Sequence, residues 1–377
     1  MGIERSDRRD FLRSSLVTAG ALWAGSPARR AAAARQPARA PRLRFAAVGL
    51  NHGHIDSMCE AVVRGGGELV SYFAKEPDLA AAFGKRFPQA KPARSEKEIL
   101  EDPKIPLVAS AGIPDERAPL GVEVMRHGKD YMVDKPGMTS LEQLAEVKRV
   151  QAETRRIYSI DYSERFENRA TTKAADLVKG GAIGRVVQTI GVGPHRESPK
   201  TRPAWFYEKD RYGGILCDIG SHQFEQCLFF TGSTKAEIVA AQVANVHHPD
   251  KPGLEDFGDV MLRGDGGAGY IRVDWFTPGG LDTWGDGRLT VLGTDGYIEV
   301  RKNVDIAGRP GGNHLFLVDQ KETRYVDSQD QDLPYGRLLV DDVLNRTETA
   351  MPQEHCFLAM ELALLAEKQA RPVQLRS

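Results

Sequence analysis

The stretch LRFAAVGLNHGH, residues 43–54, decides the fold of this chain. Its first half, Leu43 to Val48, is a short apolar run that predicts a buried strand, and its second half is a glycine-containing turn. An amphipathic segment, His54 to Arg64, follows directly and predicts a helix. Strand, tight turn and helix in this order are typical of a dinucleotide-binding α/β unit, in which backbone N–H groups at the helix start bind a pyrophosphate.

The turn departs from the usual G-x-G-x-x-G pattern. Only the first and last glycines of that pattern are kept, as Gly49 and Gly53, and asparagine at the middle position tolerates positive φ better than most residues. We therefore expect the turn to bind NAD or NADP through Gly49, Asn51, His52, Gly53 and His54.

The end of the second predicted strand, Glu68 to Phe73, departs from the NAD pattern as well. An NAD site usually places a carboxylate there for the adenosine ribose, whereas this chain reads YFAKEPD over residues 72–78 and has none at the strand tip. Lys75 can instead meet the 2′-phosphate of NADP or be a solvated loop lysine. The sequence leaves NAD and NADP equally favoured.

The alternation of strand and helix continues to about residue 162 and predicts a parallel sheet with crossover helices. The further elements of this part are strands Leu107 to Ser110, Asp130 to Val133 and Ile157 to Asp161, and helices Asp78 to Arg86, Asp115 to His127 and Ser140 to Thr154. After a helix over Ala170 to Lys179, segments rich in β-branched and aromatic residues predict a separate antiparallel sheet. Its strands are expected at Val186 to Val192, Glu237 to Val246, Asp259 to Leu262, Gly269 to Phe276, Arg288 to Leu292 and Gly296 to Val300, before a closing helix over Pro352 to Gln369.

Charge and cysteine content narrow the classes of function. The chain has 51 lysines and arginines against 52 aspartates and glutamates, a net charge of −1, which does not favour nucleic acid or anionic lipid as a partner. A small neutral substrate fits better. The 4 cysteines lie far apart without a CxxC pair, so we expect buried free thiols and no metal site.

The first forty residues have the composition of a targeting segment. Arg8 and Arg9 precede Phe11, and a modestly apolar run from Ser14 to Ala24 follows. This pattern resembles a twin-arginine signal, whose route exports folded proteins. We expect residues 1–40 to be signal peptide and linker, the protein to be periplasmic or otherwise exported, and no membrane span to remain after processing. Export also implies a tightly bound cofactor, because no soluble nicotinamide pool is expected outside the cytoplasm.

Two motifs carry the predicted chemistry. Lys135 follows a strand in the motif VDKPG, residues 133–137, and should project from the carboxyl edge of the sheet. Asp218 and His222 lie in GGILCDIGSH, residues 213–222, where a helix would place them on one face, one turn apart. We expect Lys135 to hydrogen-bond the reacting oxygen and, with Pro136, to contact the cofactor, while His222 acts as general base and Asp218 orients the substrate.

These two motifs resemble those of the Gfo/Idh/MocA oxidoreductases, with Asp134 standing where that family has glutamate. The resemblance implies an α/β Rossmann domain over residues 41–162, followed by an α+β domain over residues 163–377 with a large, open, mostly antiparallel sheet. It also implies a homo-oligomer formed through that sheet, and the family's lysine, aspartate and histidine correspond to Lys135, Asp218 and His222. Segments before the second motif should line the substrate side through His195, Arg196 and Trp205, although Trp205 is equally compatible with the core.

Three functions remain open at this point. The first is an NAD(P)-dependent oxidoreductase acting on a hydroxyl carbon of a sugar, glycoside or related polyol. The second is a redox-neutral NAD-dependent glycosidase, which oxidises a hydroxyl transiently and restores its own cofactor. The third is a cofactor-free, sugar-binding relative without catalysis.

Overall fold

A computed structural model describes residues 41–373, and its first half is built on a parallel sheet. The sheet has 6 strands in the order β3-β2-β1-β4-β5-β6. The strands are β1 (Leu43–Val48), β2 (Gly67–Phe73), β3 (Lys91–Pro92), β4 (Leu107–Ser110), β5 (Asp130–Asp134) and β6 (Tyr158–Asp161). Every residue of β4, β5 and β6 is buried, as expected for parallel strands that are covered by helices on both faces.

Five helices connect these strands and two more follow the sheet. They are α1 (His54–Arg64), α2 (Pro77–Arg86), α3 (Glu96–Glu101), α4 (Pro114–Arg126), α5 (Leu141–Thr154), α6 (Ser163–Phe166) and α7 (Arg169–Lys179). N-cap residues define where three of these helices begin. The side chains of Ser95, Ser140 and Asn168 each accept a hydrogen bond from a backbone N–H of the first helical turn.

The strand order reverses between β1 and β4, which both lie in the middle of the sheet. Connections from these two strands leave in opposite directions, so a crevice opens beyond their carboxyl ends. Gly49 follows β1 at this edge and Ala111 follows β4, and the two residues are joined by a backbone hydrogen bond of 3.0 Å. The crevice is therefore the expected place for a ligand of this half.

The second sheet has 9 strands in the order β14-β13-β12-β11-β7-β10-β9-β8-β15. Most neighbours are antiparallel, but β7 runs parallel to β10 and β8 runs parallel to β15. The strands are β7 (Val186–Pro194), β8 (Ala236–Ala244), β9 (Phe257–Gly264), β10 (Ala268–Asp274), β11 (Arg288–Gly293), β12 (Gly296–Arg301), β13 (His314–Asp319), β14 (Thr323–Val326) and β15 (Arg371–Pro372).

Helices cover one face of this second sheet and join it to the first half. They are α8 (Lys209–Tyr212), α9 (Ile215–Asp218), α10 (Gly220–Thr231), α11 (Tyr335–Asn345) and α12 (Gln353–Gln369), and two short 3₁₀ turns span Pro199–Thr201 and Ala204–Tyr207. Apolar side chains of the parallel sheet, of α9, α10 and α12, and of β9 and β10 form one continuous buried cluster. A smaller cluster lies between α7 and strands β11, β12 and β13.

The predicted fold class is confirmed: a Rossmann-like parallel sheet precedes a large, mostly antiparallel sheet. The predicted strands and helices are present with small shifts at their ends, for example Leu141 rather than Ser140 as the first residue of α5, because Ser140 caps that helix. Elements between residues 302 and 351 were not predicted, among them β13 and α11. The division of the chain at residue 162 stays a prediction.

The four cysteines are buried and free, as expected. Within residues 41–373, no helix is both long and apolar enough to cross a membrane. The predicted signal segment, residues 1–40, lies outside the described residues.

Candidate active site

A cavity of about 320 Å³ lies in the crevice at the carboxyl ends of β1, β2 and β4. Its lining includes the predicted cofactor residues Gly49, Asn51 and Lys75, together with Glu76 and Ser110. Three strand ends thus contribute to one pocket at the point where the strand order reverses. This is the position at which doubly wound sheets bind nucleotides.

The two glycines of the first turn have different structural requirements. Gly49 has φ +75°, and a Cβ there would lie 3.0 Å from the Cα of Gly112, so only glycine fits. Gly53 has φ −63°, and a Cβ there would meet nothing within 4 Å. The prediction that Gly53 takes the place of the motif's last glycine is therefore wrong, because counting from Gly49 that position falls on His54, the first residue of α1.

The two histidines of this turn point at Asp134, the last residue of β5. His52 Nδ1 lies 3.0 Å from Asp134 Oδ2, and His54 Nδ1 lies 2.9 Å from Asp134 Oδ1. The buried Arg117 guanidinium also donates to Asp134 Oδ2 at 3.0 Å and to the backbone carbonyl of Gly112 at 2.7 Å. One carboxylate therefore links the first turn, α4 and the strand that precedes Lys135.

No carboxylate stands at the tip of β2, as expected, but the loop after this strand brings one to the crevice. Glu76 Oε1 accepts a hydrogen bond of 2.9 Å from Asn51 Nδ2, across the turn from β1. Glu76 lies three residues beyond the strand, and the loop turns it back as the residue before α2. Sequence reasoning looked for the acid at the strand tip and so missed it.

Lys75, the residue predicted to favour a 2′-phosphate, is paired with an acid. Its Nζ lies 2.7 Å from Glu116 Oε2, and its side chain is exposed. The hydrogen bond with Glu116, and the charges of Glu116, Glu96 and Glu76, raise the pKa of Lys75 although partial burial opposes this. The surroundings of Lys75 are thus acidic.

Lys135 and Asp218 form a buried ion pair between the two halves of the chain. Lys135 Nζ donates to Asp218 Oδ1 at 2.7 Å, and only 5% of the lysine side chain and 13% of the aspartate side chain are exposed. Burial opposes ionisation of Asp218, but the charge and hydrogen bond of Lys135 outweigh it and lower the pKa of the carboxyl group. The structure therefore brings together two of the three residues predicted to be catalytic.

A turn of two glycines positions Asp218. Gly213 and Gly214 have φ of +91° and +89°, a conformation that other residues rarely adopt. A Cβ on Gly214 would lie 2.2 Å from the carboxyl carbon of Glu367 on α12. Glu367 in turn accepts the backbone N–H of Leu216 at 3.1 Å, in the first turn of α9. The pair of glycines lets α9 start against α12.

Asp218 and His222 lie on two short helices rather than on one. Helix α9 ends at Asp218 and α10 begins at Gly220, with Ile219 between them in a helical conformation, φ −80° and ψ −42°. The Ser221 hydroxyl donates to the backbone carbonyl of Asp218 at 3.0 Å and closes the junction. The chain thus continues in near-helical form past Asp218, although the predicted helix is interrupted.

His222 is 1% exposed and faces charged groups from both halves. Burial lowers its pKa to about 3, and Lys135 and His54 add to this while the Glu164 carboxylate opposes it. Its Nδ1 is buried and has no hydrogen-bond partner among residues 41–373. The imidazole is therefore neutral at physiological pH, and its Nδ1 is not used in a hydrogen bond to those residues.

A second buried ion pair, which sequence reasoning missed, lies beside His222. Lys302 and Gln223 both donate to Glu164 Oε2, the latter at 2.7 Å, and Lys302 also donates to Gln226 at 2.8 Å. Burial raises the pKa of Glu164, but the charges of Lys302, His222 and His195 outweigh it, and the net shift is downward. The only local signal for Glu164 was its place just after β6.

Of the predicted substrate residues, His195 alone shares the electrostatic surroundings of this site. Burial lowers its pKa to about 4, with Glu164, Lys135 and Asp218 among the charges that act on it. Arg196 instead donates to the backbone carbonyls of Pro278 and Leu281, at 2.9 and 2.5 Å, and holds the loop after β10. Trp205 is partly buried and packs against the main core.

Known proteins with a similar sequence and fold identify the family of this chain. The GFO/IDH/MocA C-terminal domain matches residues 171–299. A crystal structure from Erwinia carotovora atroseptica SCRI1043, whose protein is assigned as an oxidoreductase, is 47% identical, covers 88% of this chain and 100% of its own, and superposes with a TM-score of 0.86.

Two curated relatives are more distant. The scyllo-inositol 2-dehydrogenase (NAD(+)) of Bacillus subtilis is 26% identical over 59% of this chain, and the levoglucosan dehydrogenase of Pseudarthrobacter phenanthrenivorans is 24% identical over 52%. The matches span 64% and 51% of the lengths of these relatives. The near-complete match to the Erwinia protein, together with the family's C-terminal domain, shows that the chain belongs to the Gfo/Idh/MocA family.

Proposed function

We propose that this protein is an NAD-dependent oxidoreductase that acts on a hydroxyl carbon of a sugar, glycoside or related polyol. The observation that carries the proposal is the buried pair of Lys135 and Asp218, 2.7 Å apart, beside the neutral imidazole of His222. Oxidation of an alcohol needs a group that hydrogen-bonds the reacting oxygen and a base that accepts its proton. Lys135 and His222 can fill these two roles.

The residues of the crevice fit a dinucleotide. Gly49 and Gly112 lie so close together that a Cβ on Gly49 would be 3.0 Å from the Gly112 Cα. Because Gly49 has no side chain, a ligand can approach the backbone of the turn before α1. Helix α1 has 11 residues, and its N-terminal N–H groups favour a phosphate. When bound, the nicotinamide supplies the acceptor for two electrons and the hydrogen of the oxidised carbon. Asn51 and Ser110 would contact the cofactor from the two sides of the crevice.

The acidic residues around Lys75 favour NAD over NADP. Glu116 already neutralises Lys75, and a 2′-phosphate placed there would also face Glu96 and Glu76. Repulsion between these like charges disfavours NADP. Glu76, held by Asn51 at 2.9 Å, can instead accept hydrogen bonds from ribose hydroxyls. The preference for NAD therefore rests on Glu76 and Glu116 rather than on an acid at the strand tip.

The charges around the reacting groups suggest a division of roles. Asp218 holds the Lys135 ammonium, which donates a hydrogen bond to the substrate oxygen. His222 accepts the hydroxyl proton, and the nearby Glu164 carboxylate stabilises the imidazolium that forms. Because Lys302 and Gln223 hold Glu164 by hydrogen bonds, its negative charge stays in place during the proton transfer.

A carbohydrate-like substrate agrees with the polar side chains near the ion pair, among them His195, whose pKa is affected by the charges of Lys135 and Asp218. Substrates with several hydroxyls need such donors and acceptors in addition to the reacting pair. The names of scyllo-inositol 2-dehydrogenase and levoglucosan dehydrogenase among the relatives support the same class.

Export through the twin-arginine route is part of the proposal and rests on the sequence of residues 1–40 alone. A protein that functions outside the cytoplasm must carry its nicotinamide cofactor with it, so we propose tight binding. Denaturing the purified exported protein should release about one nucleotide per chain.

We also propose a homo-oligomer that forms through the outer face of the second sheet. On this face, Tyr270 of β10 stands between Ile190 and Met261, and four apolar residues of β7, β9, β11 and β12 are exposed: Ile190 by 37%, Met261 by 54%, Leu292 by 42% and Tyr297 by 40%. A contiguous apolar face of this kind favours association. Met261→Asp should shift the sedimentation of the protein towards monomer, and unchanged sedimentation would contradict this interface.

Turnover with a panel of sugars and polyols tests the proposed activity. We expect NADH absorbance to rise with at least one cyclic polyol or sugar and NAD⁺. An aryl glycoside separates the alternatives, because release of the aryl group without net NADH indicates the redox-neutral glycosidase. If the protein neither contains nor binds a nicotinamide nucleotide, only the sugar-binding function remains.

A further inference from the structure

The turn between β1 and α1 places two imidazoles on one carboxylate. His54 Nδ1 lies 2.9 Å from Asp134 Oδ1, and His52 Nδ1 lies 3.0 Å from Asp134 Oδ2. The two rings are packed edge to face with centroids 4.2 Å apart. One ligand atom from each of the three residues falls within 4.8 Å of the other two. Two histidines and a carboxylate therefore converge on one point.

The separations suit coordination. Ligands about 2.1 Å from an ion and at right angles to each other are about 3.0 Å apart. The 2.9 Å between His54 Nδ1 and Asp134 Oδ1 and the 3.0 Å between His52 Nδ1 and Asp134 Oδ2 are close to that value, although they involve the two different oxygens of one carboxylate. Hydrogen bonding alone accounts for His54, but His52 Nδ1 is buried and is not aligned to bond with any residue that the structure describes, Asp134 included. A ligand that takes the lone pair of His52 Nδ1 would satisfy this atom.

The acidic and basic groups around Asp134 determine whether a cation can bind there. Asp161 stands opposite Asp134 in the pairing of β5 with β6 and is fully buried. Neither of its carboxylate oxygens has a hydrogen-bond partner in the described part of the chain. A positive charge bound nearby would interact favourably with this unpartnered acid. Of the two Asp134 oxygens, the Arg117 guanidinium bonds Oδ2, at 3.0 Å, and His54 Nδ1 contacts Oδ1, at 2.9 Å. An ion at Oδ1 would therefore replace the contact with His54.

We propose that His52 Nδ1, His54 Nδ1 and the Asp134 carboxylate bind one divalent transition-metal ion. Two imidazoles with one carboxylate favour zinc, cobalt or ferrous iron over magnesium and calcium, which prefer ligand sets made of oxygen. Three protein ligands leave further positions for water or another ligand. The histidine side chains are 25% and 34% exposed, so an ion can enter from solvent. The site lies in the turn that is also proposed to bind the cofactor, but ion binding can be measured without turnover.

Cobalt is the probe, because its visible absorption reports coordination directly. Full-length protein is stripped with a chelator and titrated with Co²⁺, and Zn²⁺ is then added to displace it. We expect one Co²⁺ per chain with visible absorption bands, and loss of those bands when Zn²⁺ is added. Magnesium in excess should leave them unchanged.

Three variants test the ligands. His52→Ala and His54→Ala should each weaken Co²⁺ binding by at least about a hundredfold, since even outer-shell changes cost about ten- to a hundredfold. His127→Ala removes an exposed histidine at the end of α4 and should bind Co²⁺ like the wild type. Circular dichroism checks that each variant is folded. Failure of the wild type to bind Co²⁺ in a one-to-one ratio would overturn the proposal, as would wild-type affinity in the folded His52→Ala/His54→Ala double variant.

Discussion

The ion pair of Lys135 and Asp218 makes a quantitative prediction about stability. At 2.7 Å, two unit charges attract by about 6 kcal/mol at an effective dielectric constant of about 20. Most of this attraction offsets the cost of burying both groups, so the pair itself contributes little net stability. Losing one partner is different, because the other charge then remains buried and uncompensated. We expect Lys135→Met or Asp218→Asn alone to lower the free energy of unfolding by about 3–5 kcal/mol.

The double variant separates this reasoning from a general loss of packing. Lys135→Met/Asp218→Asn removes both charges, so its destabilisation should be smaller than the sum of the single effects by about 2–3 kcal/mol. Urea unfolding of the full chain, followed by tryptophan fluorescence, gives all four free energies. Effects that add to within about 0.5 kcal/mol would show that the two groups do not interact, and would refute the geometry on which the site is built.

Three further predictions follow from neighbouring residues. Burial and the Glu255 carboxylate raise the pKa of Glu367 to about 8, above its value in the unfolded chain, so its contribution to stability is lost as pH rises through about 8. Chemical denaturation at several pH values should therefore show a smaller loss of stability between about pH 6 and pH 9 in Glu367→Gln than in the wild type. Gly214→Ala should cost at least about 1–3 kcal/mol because of its φ of +89° and the contact with Glu367, whereas Gly53→Ala, with φ −63° and open space, should leave the unfolding midpoint nearly unchanged. Glu76→Ala should raise KM for NAD⁺ about tenfold, as expected for loss of one hydrogen bond to a carboxylate, and should lower KM for NADP⁺, because one charge that repels the 2′-phosphate is removed; an equal change for both cofactors would exclude Glu76 from ribose binding.

Much of the fold could be predicted because each parallel strand is a short apolar run that is recognisable in the local sequence. Strands β4, β5 and β6 are short and buried throughout, and they alternate with amphipathic helices. Strand β13 and helix α11, between residues 302 and 351, were not predicted although each contains an apolar run. Strand β13 pairs with β12, which precedes it along the chain by a long loop, and its pattern depends on a small core under α7.

Some residues of the candidate site could likewise be predicted from the sequence, and others could not. Lys135, Asp218 and His222 could be proposed because each lies in a recognisable motif, and the structure brings Lys135 and Asp218 into contact. Glu76 and Glu164 could not, since each reaches its place through the path of a loop and of the tertiary fold rather than through a local pattern. The convergence of His52 and His54 on Asp134 joins segments 80 residues apart and was equally invisible in the sequence.

The role of Lys135 in the chemical step can be measured directly. Wild type and Lys135→Met are loaded with NAD⁺, the bound nucleotide is quantified, and the rate of NADH formation is followed in a single turnover with a substrate found in the panel. We expect both proteins to hold the nucleotide, and the variant to form NADH at least about a hundredfold more slowly. NADH formation at the wild-type rate by nucleotide-loaded Lys135→Met would contradict the account.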